Sequence, residues 1–219
     1  MIKRLIMGCD EAGRGPVIGP MVLAGLAFDE RALKEVTSIG VRDSKMLTPK
    51  GRERLYRKIK DLAEESCVVK LQPRLIDSYV IEKGRRSKNL NSLEAEVIAK
   101  MIKKVRPRIT YVDCPDPNTE RFTKTIRDAA GFRTKVVCEH KADYRRPVVA
   151  ASSIVAKVVR DREIAKLRSV WGDFGSGYPS DPKTRRFLQE VIVRGNRPEI
   201  VRWSWSTLRK ISRQLSDQT

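Results

Sequence analysis

The chain opens with a short apolar run, Leu5-Ile6-Met7-Gly8-Cys9, that ends on two adjacent carboxylates, Asp10 and Glu11. The turn Ala12-Gly13-Arg14-Gly15-Pro16 follows, and then a second apolar run over residues 20–28. Two apolar segments so near in sequence favour an antiparallel strand pair, which constrains how the rest of the chain can be arranged. A carboxylate set against an apolar strand is costly unless it is paired, hydrogen-bonded or bound to a metal. Side chains alternate along a strand, so Asp10 and Glu11 are expected to share one site only if the chain bends there, and Gly13 supplies such a bend. Gly13 and Gly15 let the backbone approach a ligand closely, while Arg14 carries a planar fork suited to a phosphate. Two acids for a cation beside a turn for a polyanion point to metal-assisted chemistry on a phosphodiester.

Charge supports the same direction. The 219 residues contain 46 Lys and Arg against 27 Asp and Glu, a formal charge of +19. Such an excess repels itself unless a polyanion is present, so nucleic acid is the expected partner, with a ribosomal or architectural role as the bland alternative. No membrane association is expected. The apolar segment over residues 16–28 is too short to span a bilayer, and the run after Lys3 and Arg4, about five residues, is no secretory signal. The expected location is cytoplasmic. The cysteines Cys9, Cys67, Cys114 and Cys138 form no Cys-x-x-Cys pair, so free buried thiols are expected rather than a zinc site. His140 is the only histidine, which argues against histidine-rich metal sites and Ser-His-Asp chemistry.

Hydrophobic periodicity predicts strands over residues 2–9, 20–28, 67–71, 108–112 and 133–138. It predicts helices over 48–65, 73–82, 91–105, 118–130 and 147–171, with two more over 182–193 and 204–215. An initial hairpin followed by alternating strands and helices implies an α/β fold with a mixed sheet flanked by helices. The helical region beyond residue 172 reads as an appended domain, giving a division into 1–172 and 173–219.

Asp113 and Asp143 also stand at element ends. Each alone reads as a helix cap or a solvated ion pair; together with Asp10 and Glu11 they meet the needs of two Mg²⁺ ions about 3.5–4 Å apart. The segment Lys141 to Asp161 begins with an acid and continues as a helix rich in small residues. Ser153 and Lys157 are four apart, share a helical face and can touch one phosphate, while Ala150 to Ser153 also suit tight packing on the sheet. In the basic stretch over residues 194–213, Arg194, Arg197, Arg202, Arg209 and Lys210 read as a surface for duplex backbone. Trp203 and Trp205 read as structural.

The run Asp10 to Pro16, Asp43-Ser44-Lys45, Asp113 after its strand, the Lys141 to Asp161 segment and Gly175-Ser176-Gly177-Tyr178-Pro179-Ser180-Asp181-Pro182-Lys183-Thr184 together resemble ribonuclease HII, most closely its archaeal forms. The resemblance runs along nearly the whole chain. It implies an RNase H-like fold with a helical C-terminal domain, and hydrolysis of the RNA strand of RNA–DNA hybrids, including cleavage 5′ to a single ribonucleotide in duplex DNA. It further implies that Asp10, Glu11, Asp113 and Asp143 hold two Mg²⁺ or Mn²⁺ ions. By the same resemblance Gly13, Arg14 and Gly15 read the ribose 2′-hydroxyl through their backbone, a sensible task because that hydroxyl separates RNA from DNA. Lys45, Ser153 and Lys157 would contact phosphates. Tyr178, which on its own reads as an ordinary loop tyrosine, would pack on the sugar. The implied partners are RNA–DNA hybrid and ribonucleotide-containing duplex, with a replication sliding clamp as a further candidate, and the implied state is a monomer. Two alternatives stay open: another RNase H-fold nuclease, hybrid-only or junction-resolving, and a non-catalytic basic nucleic-acid-binding protein.

Overall fold

The computed structural model describes residues 3–41, 48–81 and 89–216. Asp43, Ser44 and Lys45 lie outside the described residues. The strands are β1 (Lys3–Ala12), β2 (Met21–Phe28), β3 (Glu65–Leu71), β4 (Pro107–Asp113) and β5 (Lys135–Glu139), ordered β3-β2-β1-β4-β5 in one sheet. β1 pairs antiparallel with β2, from Ile6 opposite Phe28 to Ala12 opposite Val22, and β4 runs parallel to both β1 and β5. The sheet is therefore mixed, as the early hairpin and later alternation require.

The described residues form two compact units. The first draws on Met1–Ala12, Val22–Val69 and Leu90–Val159, and the second on Gly13–Met21, Lys70–Asn89 and Arg160–Thr219. Neither is continuous in sequence, so they do not follow the 1–172 and 173–219 division. The cause is hydrogen bonding between stretches far apart in sequence. In the second unit the amides of Val17 and Ile18 donate to the Gly177 carbonyl at 2.8 and 3.2 Å, Gly19 N donates to Ile200 O at 2.8 Å, and Arg202 N donates to Val17 O at 2.8 Å. The segment after β1 thereby joins the C-terminal residues. Val17, Ile18, Ile164, Phe174, Leu188, Val201, Leu208 and Ile211 form that unit's core.

The first unit is layered around the sheet. Helices α1 (Glu30–Ser38), α2 (Pro49–Leu62) and the start of α7 (Pro147–Trp171) share one apolar cluster with β2, whose eight residues are all buried. Thr48 caps α2, its hydroxyl accepting from Gly51 N at 3.2 Å, with Pro49 in the first turn as the sequence predicts. α1 has no counterpart among the expected helices. It is short and charged, capped by Asp29, which accepts from Ala32 N at 2.7 Å, and only Val36 is buried. The remaining helices are α3 (Pro73–Ile81), α4 (Leu90–Val105), α5 (Thr119–Ala130), α6 (Ala142–Arg145), α8 (Pro182–Val193) and α9 (Ser206–Ser216).

Alternation along β1 decides which side chains face which helix. A Cβ on Gly8 would lie 2.2 Å from the Val148 carbonyl oxygen, so α7 crosses β1 at backbone contact. Ser152, from the same small-residue stretch, seals the crossing by donating to Gly8 O at 2.8 Å. Gly8, Asp10 and Ala12 thus share the face toward α7. On the other face, a Cβ on Gly25 of β2 would meet Met7 and, from α4, Met101.

Candidate active site

β1 and β4 stay in parallel register through Cys9 opposite Val112. One residue further along each strand come Asp10 and Asp113, so the register brings these two acids level at the end of the pair. Among the described residues Asp10, Glu11 and Asp113 each place a ligand oxygen within 4.8 Å of the others. The bend expected between Asp10 and Gly13 is not the means. β1 remains paired with β2 through Ala12, and Gly13, with φ of 82°, turns only afterwards. Instead the Asp10 carboxylate folds along the strand and accepts from the Glu11 amide at 2.7 Å.

Two of these acids are anchored by different parts of the first unit. Asp113 Oδ1 accepts from Ala142 N at 2.6 Å, which fixes it to the start of α6. Lys141 precedes that helix in the left-handed region, φ 55°, a conformation uncommon outside glycine, and so turns the chain toward Asp113. Asp143 sits in the first turn of α6 and is not one of the three converging acids. Asp10 is buried and also hydrogen-bonded by Ser153. Burial, then repulsion from Glu11, raises its pKa well above the ordinary value, Asp113 adds to this, and the Ser153 hydrogen bond opposes it. A group so placed gains most from a cation. Its donors are all oxygens, which suits a hard divalent ion rather than a soft one.

Ser153 and Lys157 do share a face, but they also bond to each other, Lys157 Nζ donating to Ser153 Oγ at 2.8 Å. The buried serine thus links an ammonium group to Asp10. Cys114, beside Asp113, is a buried free thiol whose Sγ is 3.4 Å from Asp116 O. All four cysteines are free and buried.

In the second unit the Gly13-Arg14-Gly15 turn is gripped by its carbonyls. Arg202 donates through Nη2 to Gly13 O at 2.6 Å, through Nη1 to Arg14 O at 2.9 Å and through Nε to Gly19 O at 3.0 Å, while Trp205 Nε1 donates to Gly15 O at 3.1 Å. Arg202 is 0% exposed, so it is no part of a basic surface. Burial, and then the nearby Arg160 charge, pull its pKa down to about 9, which leaves it cationic at neutral pH. Tyr178 is 41% exposed. Its ring lies 3.5 Å from where a Gly15 Cβ would be, and the Arg160 guanidinium stands 5.4 Å from the ring centroid. Sequence reasoning missed buried Arg202 and half-buried Arg160 as parts of this unit. The one signal was Arg202's place among Val201, Trp203 and Trp205.

Comparison with known proteins follows the same outline. The family model described as Ribonuclease HII matches residues 7–208. The Ribonuclease HII of Pyrococcus abyssi is 45% identical over 213 residues, covering 96% of this chain and 92% of that protein. Among solved structures, the ribonuclease H2 of Pyrococcus horikoshii superposes with a TM-score of 0.87 at 42% identity, covering 97% of this chain and 99% of that one. The RNase HII of Archaeoglobus fulgidus, solved as a PCNA:RNase HII complex, gives 0.86 at 40% identity, covering 98% and 100%.

Proposed function

This chain belongs to the ribonuclease HII family and is an RNase H-type endonuclease; from that premise we propose that it hydrolyses the RNA strand of RNA–DNA hybrids and cuts 5′ to single ribonucleotides in duplex DNA. The products carry 3′-hydroxyl and 5′-phosphate ends. The observation that carries this reading is the convergence of Asp10, Glu11 and Asp113 within 4.8 Å at the end of neighbouring strands. A protein that bound polyanions by charge alone would gain nothing from three acids in that position.

In this reading Asp10, Glu11, Asp113 and Asp143 hold two Mg²⁺ or Mn²⁺ ions. When bound, such ions supply the positive charge that eases attack by water and departure of the 3′ oxygen. The protein's own part is to hold the ligands in place beforehand. Ala142 N fixes the Asp113 carboxylate, and the Glu11 amide and Ser153 fix that of Asp10. Lys157, through Ser153, and Lys45 serve the substrate's phosphates. The Gly13-Arg14-Gly15 backbone reads the ribose hydroxyl, with Tyr178 against the sugar. A sliding clamp is a fitting partner, since the Archaeoglobus relative was solved with one.

The test offers the protein, with Mg²⁺ or Mn²⁺, three duplexes of one sequence: all-DNA, DNA with one ribonucleotide, and a continuous hybrid. Cleavage is expected 5′ to the ribonucleotide and along the hybrid's RNA strand. Asp10→Asn is expected to lower it by about a hundredfold or more. Equal cleavage of the all-DNA duplex would refute ribonucleotide recognition.

A further inference from the structure

The glycine turn is held on one side by a single guanidinium, and planarity then dictates where its donors go. In a trans peptide the carbonyl and the next residue's N–H point in opposite directions, and the chain contains no cis peptide among the described residues. Arg202 draws the Gly13 and Arg14 carbonyls toward itself. The amides of Arg14 and Gly15, belonging to the same two peptide planes, are therefore directed away from it. The third carbonyl, that of Gly15, is taken by Trp205, and its plane carries no donor because Pro16 follows.

The grip itself is anchored. Asp77 accepts from Trp203 N at 2.9 Å, from Ser204 N at 3.0 Å and from Ser204 Oγ at 2.6 Å, and so fixes the residues between Arg202 and Trp205. The Trp205 ring lies 4.9 Å from the Arg202 guanidinium carbon. A buried cation spent on neutral carbonyls is an expensive way to fill space, since an apolar side chain of that volume would avoid the desolvation cost. Lysine would not replace it, because an ammonium is a point charge whereas the planar fork reaches adjacent carbonyls at once.

We propose that Arg202, with Trp205, is a positioning residue for substrate selection: it fixes the Gly13-Arg14-Gly15 turn so that the Arg14 and Gly15 amides are presented together to the ribose hydroxyl. This rests on the reading of the turn given above. Arg202 touches no substrate. It acts through the peptide planes it orients, so its loss should erode discrimination rather than phosphate binding.

The experiment measures, by fluorescence anisotropy in EDTA, the affinity of the full chain for a duplex with one ribonucleotide and for the identical all-DNA duplex. Circular dichroism and a thermal melt establish folding. The unaltered protein should prefer the ribonucleotide duplex. Losing two charge-assisted bonds corresponds to a drop of about tenfold or more in that preference for Arg202→Lys, and losing one neutral bond to about threefold for Trp205→Phe. Should Arg202→Lys fail to fold, Trp205→Phe decides by the same ratio. A preference that survives in the folded variants would overturn the positioning role alone. Equal binding of both duplexes by the unaltered protein would overturn the reading of the turn as well.

Discussion

Asp181 shows how one side chain can set a loop. Its carboxylate accepts from Ser176 N at 2.6 Å and from Lys183 N at 2.9 Å, and a Cβ on Gly175 would come within 2.6 Å of its Oδ2. These amide bonds, Ser176 foremost, hold its pKa down to about 2, against an ordinary 3.8. A depressed carboxylate contributes stability that is whole above the unfolded value and is lost as pH falls through the folded one. Asp181→Asn should therefore destabilise the protein at neutral pH, and the gap between the two should close between about pH 4 and pH 2. Urea melts followed by circular dichroism across that range check it. At this scale the acids were legible and Arg202 was not, for one reason. A carboxylate at the end of an apolar strand conflicts with its surroundings, whereas an arginine in a basic C-terminal run conflicts with nothing. Apart from its place among Val201, Trp203 and Trp205, it is marked as interior by its carbonyl partners, far away in the chain.

Among the elements, β1 carries the most information. Its apolar run predicts the strand and its terminal acids predict the site. The close crossing of α7 over Gly8 is hinted at by the small residues of α7, but the partner glycine is not. A methyl group at Gly8 would collide with Val148 backbone rather than with a yielding side chain. Gly8→Ala is thus expected to cost about 3 kcal/mol or more, read as a lower denaturation midpoint, and to reduce cleavage by shifting Asp10 from Ser153. The periodicity predicts a helix over residues 147–171 and α7 spans Pro147–Trp171, because its apolar start, the proline in its first turn and the glycine just past its end agree. α1 carries its apolar residues Ala32, Leu33 and Val36 over only nine residues, too short a stretch for helical periodicity to stand out. The bend expected of Glu11 failed for a different reason: the carboxylates converge through side-chain conformation, which strand periodicity does not describe.

At the scale of the whole molecule, charge and connectivity dominate. With +19 formal charge, binding to duplex should weaken steeply with salt. If about five phosphates are neutralised, the slope of log affinity against log salt is about −4.5. Titrations of all-DNA duplex between about 50 and 200 mM salt measure it, and a flat response would mean that the positive charge lies away from the nucleic acid. Among the described residues no helix is long and apolar enough to cross a membrane. The sheet class was legible from the order of apolar runs, but the two interleaved units were not, since their hydrogen bonds join distant stretches that carry no matching pattern.

That interleaving has a consequence for the order in which the molecule is made. The carbonyls of Gly13, Arg14 and Gly19 are separated from Arg202 by 189, 188 and 183 residues. During synthesis the turn emerges long before its clamp, and the β1 acids can settle beside Asp113 once β4 has formed. The turn's clamp can close only after the chain has been made as far as Arg202, and so long a loop adds an entropic cost to that closure. A nascent chain would acquire its cluster of acids well before the part of the backbone proposed to choose what those acids act upon.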